Sequence, residues 1–167
     1  MQAKIRSFLC YFSVLLINFQ FNIATAQSLQ LDTSSQEEYQ FNIKKTEEDG
    51  FLTSFYEAVS RDDQSKPFEI IITETAKQLM NIDGVCENIK KTLNNLGPDN
   101  NLKLLKEKSN NGEKRQLYKV ASKSSTLLFL MREYKDSFTM IEAEFPNEEL
   151  QKVSIEKWQT IFWHAKN

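Results

Sequence analysis

The sequence predicts an α+β fold: a four-stranded antiparallel meander plus one N-terminal strand, with three to four helices packed on one face. Three observations support this prediction. Apolar residues recur at helical spacing in the first half of the chain, Asn111-Gly112 is a strong hairpin signal, and strand-like segments follow one another from there to Phe145. Helices and strands are therefore segregated along the chain, as is typical of α+β domains.

The first elements of the domain are predicted to be a helix and a strand. The apolar residues of segment 51–59 share one helical face, and the acidic residues before them suit a helix N-terminus. These apolar residues are Phe51, Leu52, Phe55 and Val59. After a loop that ends at Pro67, the short β-branched run 68–73 predicts a strand.

Two more helical segments are predicted before the meander. Ala76, Leu79 and Met80 form a short apolar helical face. A second helix is predicted over 85–96, with its end at Gly97-Pro98.

The second half of the chain changes to strand periodicity and then closes with a helix. The predicted strands span 102–108, 116–121, 126–134 and 139–145. Pro146 and the acidic residues that follow it are typical of a helix start. The apolar side of this last helix includes Trp158, Ile161 and Phe162.

The N-terminus has the pattern of a secretory signal peptide over 1–26. Lys4 and Arg6 form a basic start, an apolar run follows, and Ala24-Thr25-Ala26 provides a cleavage motif. The alternative is an uncleaved anchor, but polar residues interrupt the apolar run before it reaches the roughly 20 residues that a spanning helix needs. We therefore expect an exported protein, periplasmic or secreted, with a flexible leader over 27–38 and a single α+β domain over 39–167.

Charge and cysteine content limit the classes of function. Cleavage after Ala26 removes Lys4 and Arg6 and no acid, so the formal charge changes from −2 to −4. This mixed, mildly acidic composition argues against a nucleic-acid partner, which would require a basic surface. Cys86 remains as a lone cysteine, so no disulfide within the chain is expected and core burial must stabilise the domain.

No motif predicts an enzyme, a metal site or a cofactor. His164 is the one histidine in the sequence, and a zinc site would need several more ligands. A Cys86–His164 dyad or the carboxylates of Glu142 and Glu144, which share one strand face, are the remaining catalytic options. Glycine-rich phosphate loops and nucleophile elbows are absent from the sequence.

The last helix offers the best candidate for a contact surface. Trp158 and Trp163 are five residues apart, so one is expected inside and the other at the rim. The candidate contact residues are Trp158, Trp163, Phe162 and His164. The favoured function is an exported, non-enzymatic domain that binds a protein or envelope partner. The alternatives are a carrier with a pocket for a small apolar ligand between sheet and helices, and a hydrolase that uses Cys86 or Glu142 and Glu144.

Several segments resemble a family of small exported Bacteroidetes proteins of unknown function. They are the hairpin around Asn111-Gly112, the strands 127–131 and 138–145, and the strand-then-helix unit 68–80. The resemblance spans 68–80 and 101–153, which is about half of the chain after the signal. It implies an exported α+β domain and no established activity or site.

Overall fold

The computed structural model describes residues 31–32, 39–60, 68–96, 101–121, 125–146 and 152–165. The predicted signal peptide lies outside these ranges, as does the predicted leader apart from Leu31 and Asp32. The elements are β1 (Tyr39–Glu48), β2 (Phe51–Ser60), β3 (Phe68–Ala76), α1 (Ile82–Leu96), β4 (Leu102–Asn110), β5 (Glu113–Ala121), β6 (Ser125–Tyr134), β7 (Ser137–Pro146) and α2 (Lys152–Trp163).

The strands of the described residues form one antiparallel sheet in the order β1-β2-β3-β7-β6-β5-β4. The predicted four-stranded meander is present as β4 to β7, but β7 also pairs with β3, and β1 and β2 extend the sheet further. The predicted fold is therefore wrong: this part of the chain holds seven strands and two helices, not a four-stranded meander plus one strand with three to four helices.

The predicted helix over 51–59 is instead strand β2, paired with β1. Asp49 and Gly50 both have positive φ, 50° and 80°, which matches the two-residue turn that joins right-twisted strands. The apolar residues of this segment fit both a helical and a strand period, because the segment is short. The turn residues and the Phe, Tyr, Thr and Val content favour the strand.

The two helices pack on opposite faces of the sheet, which also corrects the prediction of one helical layer. Successive residues of a strand point to opposite faces. In β6, Leu128 and Leu130 belong to the core cluster that contains α2, whereas Phe129 and Met131 belong to the cluster that contains α1. We refer to these surfaces as the α2 face and the α1 face.

The start of α1 is held by side chains as well as by its own backbone. The Asn81 side chain accepts a hydrogen bond from the N–H of Gly84 at 2.9 Å, which is the geometry of an N-cap. The buried Glu133 carboxylate on β6 accepts the N–H of Ile82 at 2.7 Å and forms an ion pair with Lys77 at 2.8 Å. The helix therefore begins at Ile82, and the predicted helical turn over 76–80 is the end of β3 followed by a turn.

Helix α2 is anchored by an aromatic cluster on the α2 face. The Trp158 ring lies 5.2 Å from the ring of Phe68 and 5.8 Å from that of Phe145. Its distance from the ring of Phe41 on β1 is 6.3 Å. These contacts place Trp158 of α2 over strands β1, β3 and β7. Neither helix in the described ranges is long and apolar enough to cross a membrane.

Candidate functional site

A shallow groove lies between α2 and the β4–β5 hairpin on the α2 face. Its volume is about 240 Å³, and it is open to solvent. The groove is lined by Leu105, Lys106, Leu117, Glu156, Gln159, Thr160, Trp163 and His164. The four of these that belong to α2, at positions 156, 159, 160 and 163, share one face of the helix.

Trp163 is the aromatic residue of this groove, and two cations flank its ring. The Lys106 Nζ atom lies 4.4 Å from the ring centroid, and the Arg115 Cζ atom lies 5.7 Å from it. Both distances are within the range of cation–π attraction. The indole is therefore held in a half-buried position at the rim, with positive charge beside it.

A charged network beneath the groove positions Arg115. The Glu113 carboxylate accepts hydrogen bonds from Arg115 at 2.9 Å and from Arg132 at 2.7 Å. Arg115 in turn donates to the backbone carbonyl of Trp163, at the C-terminus of α2, where a cation is favoured by the helix dipole. Burial alone would raise the pKa of Glu113, but the hydrogen bonds and charges of the two arginines outweigh it and lower that pKa.

The four predicted contact residues are divided between the core and the groove. Trp158 and Phe162 are buried in the α2-face core, whereas Trp163 and His164 line the groove. Their role as a contact surface stays a prediction. The sequence pattern did not reveal Lys106 and Arg115, because they come from β4 and β5 and approach Trp163 only in the folded sheet.

The two members of the predicted cysteine–histidine dyad lie on opposite faces of the sheet. Cys86 is buried in the α1-face core, and His164 borders the groove on the α2 face. The two side chains therefore form no pair. The Tyr118 hydroxyl lies beside the Cys86 thiol and donates a hydrogen bond to the Gln116 side chain at 2.9 Å. Burial, followed by the hydrogen bond and charge of Cys86, raises the pKa of Tyr118.

Carboxylates converge on the part of the α1 face formed by β2, β3 and β7. Glu57 and Glu69 are directly opposite each other in the β2–β3 register. Glu142 is opposite Ile71 in the next strand pair, so it lies diagonally from Glu69 on the same face. Burial and the charge of Glu57 raise the pKa of Glu69. Burial and then the charge of Glu69 raise the pKa of Glu142 to about 7.

This convergence was only partly predictable from the sequence. Glu142 and Glu144 share a face of β7, as predicted, but the residue that acts electrostatically on Glu142 is Glu69. Glu57 could not be placed opposite Glu69 from the sequence, because the segment 51–59 was predicted to be a helix.

Like charges opposed across strands destabilise a sheet. The raised pKa allows Glu142 to take up a proton near neutral pH.

Replacing Glu142 with glutamine is expected to stabilise the protein at pH 8 by about 1–3 kcal/mol. The folded-state pKa is about 7, against an ordinary value of 4.5. The ionised side chain therefore opposes folding above pH 7, and this penalty disappears as the pH falls from 7 towards 4.5. Urea unfolding of wild type and Glu142→Gln at pH 8 and pH 4 measures the difference, which we expect at pH 8 only.

Glu144→Gln is the matched control, because this residue lies on the same face two positions along β7. We expect it to leave the pH dependence of unfolding as in the wild type. Equal stabilisation by both variants, or the same effect of Glu142→Gln at both pH values, would contradict the prediction.

Among the described residues, no group of three or more His, Cys, Asp or Glu side chains has the arrangement needed to hold a metal ion. Comparison with protein families, with curated proteins and with solved structures finds no match to this chain.

Proposed function

We propose that the chain is an exported, non-enzymatic domain that binds a protein partner through the groove between α2 and the β4–β5 hairpin. The observation that carries the proposal is Trp163, a half-buried indole at the rim of an open groove between Lys106 and Arg115. Tryptophan and arginine are enriched among residues that dominate binding energy. The export part of the proposal rests on the signal-peptide pattern over 1–26.

The charge around the groove indicates the chemistry of the partner. On the α2 face, strands β4 and β5 carry five basic side chains and one acidic one, Glu113, and Glu156 of α2 adds a second acid at the groove. The basic residues are Lys103, Lys106, Lys108, Arg115 and Lys119. A segment with acidic side chains and an apolar residue to contact Trp163 would complement this surface.

The carrier alternative has less support from the geometry. Pockets for small ligands are usually about 300–1,000 Å³ and enclose most of the ligand. The groove is smaller, at about 240 Å³, and it is open. Its lining also includes polar and charged groups such as Glu156, Gln159 and Thr160. These features favour a surface contact over an enclosed apolar ligand.

A hydrolase that uses Glu142 is the second candidate. A carboxyl with a pKa of about 7 is suited to proton transfer at neutral pH, and Glu144 lies on the same strand face. A panel of chromogenic glycosides and esters, tested with wild type and Glu142→Gln, separates the two functions. Turnover by the wild type that is lost in the variant would replace the binding proposal.

We expect Trp163→Ala to weaken partner binding at least tenfold, because it removes the aromatic group at the rim. Partners would first be captured from the native envelope fraction on the mature chain, which is expected to begin at Gln27. Affinity for the captured partner is then measured by calorimetry for wild type and variant. Lys106→Gln should weaken binding less and reduce its dependence on salt.

Val59→Ala is the control for loss of an exposed apolar side chain outside the groove. Val59 is 39% exposed on β2, and its truncation should leave the affinity unchanged. Circular dichroism confirms that each variant is folded. A partner that binds wild type and Trp163→Ala equally would rule out the groove as its site.

A further inference from the structure

Strand β1 ends the sheet with an unbroken and exposed pairing edge. In the part of the chain that the structure describes, β1 has a strand neighbour on one side only. Its ten residues pair with β2 without a register shift, and eight of the ten are exposed. Ile43, at 57%, is the most exposed large hydrophobic residue of the described chain. A regular edge of this kind is a template for another strand.

The opposite end strand, β4, differs from β1 in two ways. Its pairing with β5 is interrupted by a bulge between Leu104 and Lys106, and it carries lysines at positions 103, 106 and 108. Bulges and edge lysines are the devices by which proteins prevent pairing between sheet edges. Strand β1 has no bulge, and its Lys44 and Lys45 are followed by Glu47 and Glu48.

We propose that β1 pairs with β1 of a second copy of this chain, antiparallel and about a twofold axis at Ile43. Such an axis is perpendicular to the sheet, so paired residues share one face and the axis passes midway between one residue and its own copy. In the register centred on Ile43, nine residues of each copy, 39 to 47, pair with the other copy. Ile43 then faces the Ile43 side chain of the second copy, and both lose their exposure to water.

The charges of β1 fit this register. Lys45 faces Phe41 of the second copy and can cover its ring with its aliphatic stem. Glu47 faces Tyr39, and Lys44 faces Asn42. No like charges are opposed across the new strand pair, so the register avoids the repulsion that such pairs cause.

The neighbouring registers are less favourable. An axis at Lys44 or at Lys45 places that lysine against its own copy. An axis at Thr46 pairs Lys44 with Glu48 and Lys45 with Glu47, but only five residues overlap. An axis at Asn42 reduces the overlap to seven residues and leaves Glu47 and Glu48 unmatched. The register centred on Ile43 therefore combines the longest overlap with a matched apolar pair.

The dimer is a continuous sheet with the two grooves at its far ends, so it does not depend on what the grooves bind. One strand pair buries less surface than a permanent dimer. We therefore expect a monomer–dimer equilibrium that sedimentation velocity detects between about 1 and 500 µM. Ile43→Glu opposes two carboxylates at the axis and should raise the dimer dissociation constant at least tenfold. A wild-type chain that stays monomeric throughout this range would overturn the proposal.

Cysteine crosslinking tests the register itself. Residues opposite each other in an antiparallel pair have Cα atoms about 4.5–5.5 Å apart, which a disulfide can span. Oxidation with diamide should therefore convert Ile43→Cys into a covalent dimer. Glu47→Cys, whose two copies lie eight residues apart along the pair, should stay monomeric, as should Leu104→Cys on β4. Preferential crosslinking of Leu104→Cys, or of Thr46→Cys over Ile43→Cys, would contradict the proposed interface.

Discussion

Replacing Trp158 with alanine is expected to lower the free energy of unfolding by about 3–5 kcal/mol. The side chain is 3% exposed, and its ring contacts those of Phe41, Phe68, Phe145 and Phe162 at centroid distances of 5.2–6.3 Å. The change leaves a cavity among these rings and removes their edge and tilted contacts with the indole. Because Phe41, Phe68 and Phe145 lie on β1, β3 and β7, the loss weakens attachment of α2 to three strands.

Urea unfolding followed by circular dichroism measures this loss. Trp163→Ala is the internal control, because it removes the same side chain from the same helix at a half-exposed position. We expect it to destabilise the protein clearly less than Trp158→Ala does. Equal losses for the two variants would show that the core around Trp158 does not anchor α2.

Replacing Glu113 with alanine is expected to lower the free energy of unfolding by about 2–4 kcal/mol, because it leaves two arginines side by side without their shared carboxylate. The side chains of Glu113, Arg115 and Arg132 are only 17%, 14% and 13% exposed. Because the pKa of Glu113 is lower in the folded protein than its ordinary value of 4.5, its ionised form stabilises the fold fully at pH values above 4.5. This contribution is lost as the pH falls through the lower folded-state value.

The same variant should disturb the groove as well as the stability. Arg115 donates to the Trp163 carbonyl, so its release should expose the indole and shift its fluorescence to longer wavelength. Glu87→Ala, which breaks the exposed Glu87–Lys91 pair, is the control and should have no measurable effect. Comparable destabilisation by both variants, or a loss in Glu113→Ala that is unchanged at pH 3, would contradict this account.

The local segments of the second half were predictable because their signals are local. Asn111 and Gly112 have positive φ, 48° and 77°, as the hairpin signal requires, and the strands on either side are present. The five-residue spacing of Trp158 and Trp163 correctly indicated one inside and one at the rim. The predicted helix over 51–59 is wrong, because the apolar residues of so short a segment satisfy both the helical and the strand period and the deciding turn, Asp49-Gly50, lies outside the segment.

The candidate site was less predictable than the fold. Trp163 and His164 were identified as contact candidates, but Lys106 and Arg115 approach from strands more than 45 positions away in the sequence. The carboxylates at 57, 69 and 142 likewise come together only through the β2–β3 and β3–β7 registers. A sequence window contains no information on which distant strands will be neighbours.

The strands and the closing helix of the second half could be predicted from the sequence alone, as could the signal-peptide pattern over 1–26, from which export and the lack of a disulfide partner for Cys86 stay predictions. These follow from composition, turn chemistry and periodicity, which act over a few residues. Only the assembled fold shows that β3 pairs with β7, that the two described helices cover opposite faces, and which charges surround Trp163 and Glu142. Those features depend on burying apolar surface between segments far apart in the chain, and many pairings satisfy the same local pattern until the whole sheet is assembled.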